Sequence, residues 1–383
     1  MSKVKEKVKL RREKLEKIIK KKLLNISCFS LDAEKIEGRN LENMIGVVQI
    51  PLGIAGPLKV KSLEFGKREY FVPLGTTEGV LVASVNRGCK VIRESGGCEI
   101  LVKEKGTTRG PVFKVNGLRE GKKLIRWLKK NKNELEKVAR KTDKHTKLID
   151  IDTKMVGKNV YVRFEFNTAE AMGMNMVTIA TKKIVELIKR ELRIKEAILS
   201  GNYCIDKKPS WLNFIQGRGK QVWAEVVIPK KVVKDVLKTT SEKIVDVVYR
   251  KQLLGSIMSG SMGFNAHYAN MIAAIFLATG QDMAHVVEGS LGVTTAEVVN
   301  NGDLYFSIYL PDLMIGTVGG GTHLGTQKEC LSILGLDKVK KGDSLRLAEV
   351  IGGAVLAGEL SLTAALASGD LAKAHQKLGR GKR

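Results

Sequence analysis

Four stretches of this chain place ionisable side chains where they could act on a substrate. In Thr76-Thr77-Glu78-Gly79, a carboxyl falls just before Val80, Leu81, Ser84, Gly88 and Val91, whose spacing predicts a helix capped by Thr76 or Thr77. A helix N-terminus favours the anion of Glu78, and apolar surroundings favour the neutral acid. Taken alone, Glu78 reads as a capping carboxylate. In SGNYCIDKKP, residues 200–209, Asp206, Lys207 and Lys208 precede Pro209, which excludes a helix there. Such a loop either aims ammonium groups at a carboxylate or a developing oxyanion, or is an exposed charged turn. Asp282 follows an apolar run that reads as a helix, and a carboxylate at a helix C-terminus wants a cationic partner. His375, in LAKAHQKLGR, could move a proton near neutral pH, although most lone tail histidines do nothing. Two glycine sites complete the set. AMGMNM, residues 171–176, opens a predicted helix whose amides could meet a phosphate, and GTVGGGT, residues 316–322, permits close backbone approach to a ligand.

Other chemistries lack their signatures. No GxGxxG follows a strand, no GxxxxGK[ST] occurs, and no HExxH or Cys/His cluster suggests a metal. The 383 residues are enough for two or three domains, and 43% hydrophobic with 28% charged residues is an ordinary globular balance. Disorder, a collagen repeat and a disulfide-stapled scaffold are excluded as the main architecture. Five unpaired-looking cysteines, none in CxxC, fit a reducing interior. The net charge of +26 draws polyanions, which keeps a basic nucleic-acid-binding protein as the alternative reading. The N-terminus has no apolar signal region. Residues 253–281 carry no Asp, Glu, Lys or Arg, but their serines, asparagines and glycines suit a helix buried in protein better than one in lipid.

These residues must be positioned by surrounding elements. Residues 3–24 read as a basic amphipathic helix packed on the body, since no aromatic residue interleaves with its charges. Residues 44–75 alternate apolar runs with Gly and Pro, as short strands and turns do. Residues 111–198 form an α+β unit: a Lys-rich surface helix over 119–147, a hairpin around Gly157-Lys158-Asn159, then a long helix. Beyond 199 come a strand (KQVWAEVVIP), a helix over 230–250, the uncharged 255–280 helix, a strand (DLYFSIYLP) and two closing helices.

Taken together, the motifs resemble the hydroxymethylglutaryl-coenzyme A reductase family. ENMIG, VQIPLGIAGPL, TTEGVLVASVNRGCKVI, TRGPV, AMGMNM, SGNYCIDKKP, GRGK, NAHYAN, GQD, GTVGGGT and GELSLTAALA occur in the family's order from about residue 41 to the end. The pattern is similar to class I, in a soluble archaeal-type form without the membrane-spanning region of the animal enzymes. The resemblance implies an α+β fold: a small helical N-terminal part, a large domain around one long central helix (here 255–280), and an inserted ferredoxin-like cofactor domain. The corresponding ranges are 1–41; 42–110 with 199–360; 111–198; and 361–383, a helix end and mobile tail. It also implies a cytoplasmic homodimer or tetramer with active sites between subunits, no metal, no membrane and no nucleic acid.

The implied activity is reduction of (S)-hydroxymethylglutaryl-CoA to (R)-mevalonate and coenzyme A by two hydride transfers from NADPH rather than NADH, a step of isoprenoid biosynthesis. Residue by residue, Lys207 resembles the cation on the oxyanion and Glu78 the proton donor to the aldehyde. Asp282 resembles the partner linking those two, and raises the pKa of Glu78 as a second carboxylate nearby. His375 resembles the acid for the departing thiolate. Arg109, Ser200, Asp206, Lys208 and Asn270 match substrate contacts; Ser84, Asn86, Arg87, Lys251 and His267 match coenzyme A contacts. Glu170, Met172, Gly173, Met174, Asn175, Val318 and Gly319 match the cofactor site, with Glu170 where Asp is common. At Asp143-Lys144-His145, relatives place Ser or Thr and Arg against the 2′-phosphate; Lys144 keeps the charge without the fork, and Asp143 repels phosphate. With all four catalytic positions filled, a coenzyme A-binding module without chemistry does not fit.

Overall fold

The computed structural model describes residues 3–369. Its N-terminal part is a small helical cluster: α1 (Lys3–Ile19), α2 (Leu24–Ser27) and α3 (Ala33–Ile36). Val8, Ala33, Ile36 and Met44 form its core, and Arg11 pairs with Glu37 at 2.7 Å. α1 stops short of the expected residue 24 because Lys20 turns into the left-handed region at φ 55°.

Strands β1 (Leu52–Ser62) and β2 (Gly66–Gly75) form an antiparallel pair, and the segment expected as short strands is therefore two long ones. α4 (Leu81–Glu94) follows. It buries Leu81, Val85, Gly88, Cys89 and Ile92, a stripe at helical spacing. Gly88 is required there, since a Cβ would lie 2.0 Å from the Ala357 carbonyl oxygen. Strand β3 (Cys98–Arg109) then joins two parts of the molecule. Its first half lies parallel to β1, and its end, after a bulge at Gly106, pairs with a strand of the next unit.

That unit comprises β4 (Val112–Lys114), α5 (Leu118–Lys130), α6 (Lys132–Thr142), β5 (Lys147–Val156), β6 (Asn159–Asn167), α7 (Met174–Leu192) and β7 (Ala197–Ile198). It buries its own apolar cluster, including Phe113, Leu124, Leu128, Leu135, Phe164, Phe166, Ile184 and Ile188. The hairpin turns at Gly157 and Lys158. The single helix expected over 119–147 is two helices that end by Thr142, because Asn131 leaves helical geometry and bonds the Trp127 carbonyl.

The chain returns through α8 (Trp211–Gln216) and β8 (Arg218–Ile228). The helix expected over 230–250 is broken: α9 (Lys230–Val232) runs into a π-turn, Lys238 turns left-handed, and Thr240 caps α10 (Ser241–Val247). The uncharged stretch is likewise not one helix. A π-turn and α11 (Ser256–Ser259) end at Gly260, φ 67°. Ser261 and Asn265 then bond nearby backbone before α12 (Tyr268–Thr279) begins. The polar residues that argued against a lipid-facing segment are the ones that interrupt it. After α13 (Val286–Gly289), strands β9 (Val293–Val299) and β10 (Asp303–Leu313) complete a mainly antiparallel ten-stranded sheet, with the path β7-β4-β6-β3-β8-β10-β9.

The central helix is instead the last of the described ones. α14 (Gly325–Ile333) is followed by α15 (Asp343–Ser368), 26 residues or about 39 Å long. α15 packs against α4, α12, β3 and β8 in the larger apolar core. It is long and apolar enough to cross a membrane, but 83% of that window is buried within the protein. Its charged residues concealed its role. Glu349 is only 1% exposed and contacts the Ser62 hydroxyl, and burial pushes its carboxyl up to about 7. A carboxyl raised on folding costs stability as pH climbs from the ordinary carboxylate range to that value. Glu349→Gln is therefore expected to gain stability relative to the parent at about pH 8 but not at about pH 5, read by urea denaturation at each pH.

Candidate active site

Lys207 lies on a loop held in strained geometry. Asn202, Ile205 and Lys207 all have positive φ, at 63°, 49° and 60°. For a β-branched residue such as Ile205 this is a true outlier, and such strain persists only where surroundings over-determine it. Buried side chains do so here. Thr108 Oγ1 donates to the Cys204 carbonyl at 2.9 Å, and Asn213 Nδ2 donates to the Ile205 carbonyl at 3.0 Å. Arg218 donates to the Asp206 carboxylate at 3.0 Å. The loop projects Lys207 Nζ to 2.8 Å from Asp282 Oδ2. Asp282 is not left at a helix C-terminus: it caps the turn 283–285 by accepting from Ala284 N–H. Partial burial raises the Asp282 pKa, but the Lys207 hydrogen bond, the Ala284 N–H and nearby positive charge outweigh it and hold the carboxyl below its ordinary range.

Beneath this pair is a buried charge cluster. Arg218, fully buried, bonds Glu288 at 2.8 Å, Asp206 at 3.0 Å and Thr108 at 2.8 Å. His285, also fully buried, meets Glu288 through Nδ1 and faces Asp282 at 3.6 Å and Asp206 at 3.8 Å through Nε2. Asn213 donates to Asp312, whose carboxyl is pushed well above its ordinary range by burial and then by Glu288. Ligand atoms of Asp206, His285 and Glu288 lie within 4.8 Å of one another, a grouping that could hold a metal ion, but the guanidinium of Arg218 already bonds both carboxylates. Sequence reasoning missed Arg218, His285 and Glu288; the only signal was GRGK, which contains Arg218.

Lys207 and Asp282 border a cavity of about 690 Å³ that is also lined by Arg109, Asp206, Met172, Gly173, Met174, Asn175, Val318 and Gly319. Gly173, left-handed at φ 87°, precedes α7 without a side-chain cap, so the first amides of a 19-residue helix remain available for an anion. Gly316 lets the two glycine runs meet, since a Cβ there would lie 2.4 Å from Met172 N. Ala171 pairs with Val318, and Thr317 N–H donates to the Glu170 carbonyl at 2.8 Å. Arg109 is held by Thr178 on α7 at 2.6 Å.

Several expected residues are placed elsewhere. Glu170 spends both carboxylate oxygens on the start of α15, accepting from Gly342 N–H at 2.8 Å and Ser344 N–H at 2.7 Å. Asp143, Lys144 and His145 do not line the cavity; Asp143 accepts from the His145 N–H. Ser200 contacts Cys204 Sγ, and Lys208 Nζ reaches the Asp206 carbonyl. Ser84 and Arg87 bond Ser361 on α15, Asn86 accepts from Gly56 N–H, and Lys251 is exposed. His375 lies outside the described residues.

Glu78 is not in a helical turn, because Val80 is left-handed at φ 78° and α4 starts only at Leu81. It is exposed and accepts from Asn270 Nδ2 at 3.1 Å; Asn270 in turn contacts His267. The buried carboxylate of Glu359 orients this corner by accepting from the Ala266 and His267 amides. Asn270 is in the first turn of α12, whereas Asp282 follows its end. The intervening helix is about 14 Å long. Within one chain, then, Asp282 links to Lys207 but not to Glu78: among the described residues, Glu78 bonds neither.

A family model described as hydroxymethylglutaryl-coenzyme A reductase matches residues 7–380. The chain is 53% identical over 380 residues to the 3-hydroxy-3-methylglutaryl-coenzyme A reductase of Methanothermobacter thermautotrophicus, covering 99% of this chain and 94% of that one. It is 52% identical over 377 residues to the enzyme of the same name from Methanocaldococcus jannaschii, covering 97% and 92%. In fold it is similar to the NADPH-bound class II 3-hydroxy-3-methylglutaryl-CoA reductase of Streptococcus pneumoniae, with a TM-score of 0.69, 20% identity, and coverage of 85% of this chain and 87% of that one. The family model spans nearly the whole chain and the archaeal relatives share half its residues, so this chain belongs to the hydroxymethylglutaryl-coenzyme A reductase family.

Proposed function

We propose that this chain reduces (S)-hydroxymethylglutaryl-CoA to (R)-mevalonate and coenzyme A. The observation that carries the reading is the Lys207–Asp282 pair, 2.8 Å apart, at the edge of a cavity walled by the two glycine runs. NADPH, when bound, supplies the hydride in each of two steps. The residues present fit it: the open start of α7 suits the pyrophosphate, and Gly316 keeps the backbone cradle free of a side chain.

The rest is the work of side chains. Asp282 holds the Lys207 ammonium at the edge of the cavity. Hydride addition to the thioester carbon makes an alkoxide, and the ammonium stabilises it by a charge-assisted hydrogen bond. The alkoxide collapses to an aldehyde as the C–S bond breaks, and His375 gives the coenzyme A thiolate its proton. Addition of the second hydride to the aldehyde carbon makes the alcohol, with a proton from Glu78 to its oxygen. Arg109, Ser200, Asp206, Lys208 and Asn270 bind the acyl part; Ser84, Asn86, Arg87, Lys251 and His267 bind coenzyme A. Lys144, beside Asp143 and His145, would hold the 2′-phosphate when NADPH binds. Glu170 serves the cofactor site indirectly, through the start of α15.

In this reading residues 111–198 are an inserted ferredoxin-like cofactor domain within a larger substrate domain, and residues 1–41 are a helical appendage. The chain is of class I, as its half-identity to archaeal relatives supports. It acts in the cytoplasm, in keeping with thiols such as Cys89 and Cys98, which are free and which burial pushes up to about 12. It is a dimer at least, since the 14 Å or so of helix between Asn270 and Asp282 leaves Glu78 to meet Lys207 and Asp282 across a subunit boundary. The nucleic-acid alternative has no support from the matched family or the relatives. The test is to follow thiol release and NADPH oxidation together with the purified protein. Two NADPH per thiol are expected with the CoA thioester; a folded protein that releases no thiol overturns the reading.

A further inference from the structure

His285 is a histidine without a role in the chemistry above, yet it touches the catalytic pair from below. Its side chain is fully buried, and its Nε2 has no hydrogen-bond partner while facing Asp282 Oδ2 at 3.6 Å and Asp206 Oδ1 at 3.8 Å. Its Nδ1 sits against Glu288 Oε1. A neutral imidazole has one N–H, so it would turn a lone pair on a carboxylate at one nitrogen or the other. Protonation of Glu288 does not relieve this, because Oε1 already accepts from Arg218 at 2.8 Å and from the Lys207 N–H at 3.4 Å, the environment of an anion.

The charged groups facing His285 come from every side: Asp282 on its own turn, Glu288 on α13, Asp206 and Lys207 on the strained loop, Arg218 on β8 and Asp312 on β10. Asp312, its carboxyl pushed well above the ordinary range by burial and then by Glu288, bonds Asn213, and Arg163 has its hydrogen bonds to Asn213, Gln216 and a backbone carbonyl, so neither bonds the three carboxylates around the ring. Three carboxylates then face two cations, Lys207 and Arg218. A third positive charge closes the cluster.

We propose that His285 is a positioning residue for the reaction: as a doubly protonated imidazolium it donates to Glu288 and toward Asp282, fixing the Asp282 carboxylate and through it the Lys207 ammonium. This rests on the function proposed above, but its first test does not need the reaction. In full-length protein labelled with ¹⁵N-histidine, both His285 ring nitrogens are expected to carry a proton at the pH of the activity assay, as a ring that faces carboxylates through both nitrogens requires. The signal is assigned as the one remaining when His145, His267, His323 and His375 are replaced. A bare ring nitrogen there, whether free or metal-bound, overturns the proposal.

The second test is His285→Gln, which keeps polarity and removes the charge. Loss of a cation beside a carboxylate raises its pKa. The acid limb of the kcat profile should therefore move up by about one pH unit, kcat should fall about tenfold or more, and KM for the thioester should change little. A folded variant with an unmoved acid limb overturns the proposal even though the parent is active. An inactive parent would instead overturn the functional reading and leave the NMR result to decide the protonation state.

Discussion

Lys207→Ala is expected to lower kcat by at least about 1,000-fold for both hydride steps, the scale of losing a principal oxyanion donor. Among the described residues, the Lys207 ammonium is the lysine or arginine group that bonds Asp282, at 2.8 Å, and the neighbouring Lys208 Nζ turns back to the Asp206 carbonyl. Assaying the thioester and the free aldehyde separately checks that both steps fail; an aldehyde step running at the parent rate would confine Lys207 to thioester cleavage. The same variant tests where Glu78 acts. Each of Lys207→Ala and Glu78→Gln is expected to be nearly inactive alone. Mixed in equal amounts and allowed to exchange subunits, they should recover about a quarter of the parent activity, because in the proposed dimer half the pairs are hybrids and each hybrid has one intact site. No recovery in a mixture shown to exchange would mean that both residues serve a site within one chain.

Arg218→Met is expected to destabilise the fold by about 3–5 kcal/mol, the cost of leaving buried carboxylates without their cation. Arg218 is fully buried; burial lowers its pKa, but Glu288, Asp312 and Asp206 more than reverse that and keep it charged. Glu288→Met in the same background should restore part of the loss, since an apolar pair is better tolerated than a buried single charge. Urea denaturation of the two single variants and the double variant gives the coupling. If the two losses simply add, the ion pair is not what holds this region. The strained loop predicts a second readout: with Asp206 released from Arg218, substrate turnover should fail at urea concentrations where the secondary structure still stands.

The parts of the site legible in the sequence are those whose meaning is local. Asp206-Lys207-Lys208 before Pro209 announces a loop aiming charge, and Asp282 beyond an apolar helix announces a missing cation; the structure joins the two. The motifs around them carried the family. What was not legible depends on convergence. Arg218, His285 and Glu288 come from β8, the turn after Asp282 and α13, and nothing in their own surroundings says that they meet. The central helix was misread for a related reason. Residues 255–280 lack charge but contain the glycine and polar side chains that break a helix, whereas 343–368 carries Asp343, Arg346, Glu349 and Glu359. Those charges hid a core helix, for Asp343, Glu349 and Glu359 are buried, the two glutamates bonding serine, threonine or backbone donors. The start of α4 was misplaced because Thr76 and Thr77 have the right chemistry for capping while Val80 turns the chain left-handed after them.

Glu170 sits in the loop that walls the cavity, and its two oxygens clamp the amides of Gly342 and Ser344. Cavity wall and core rod are thus a single mechanical piece. Any agitation that frays the first turn of the rod must also slacken that wall, so the shape of the cavity and the integrity of the protein's spine rise and fall together.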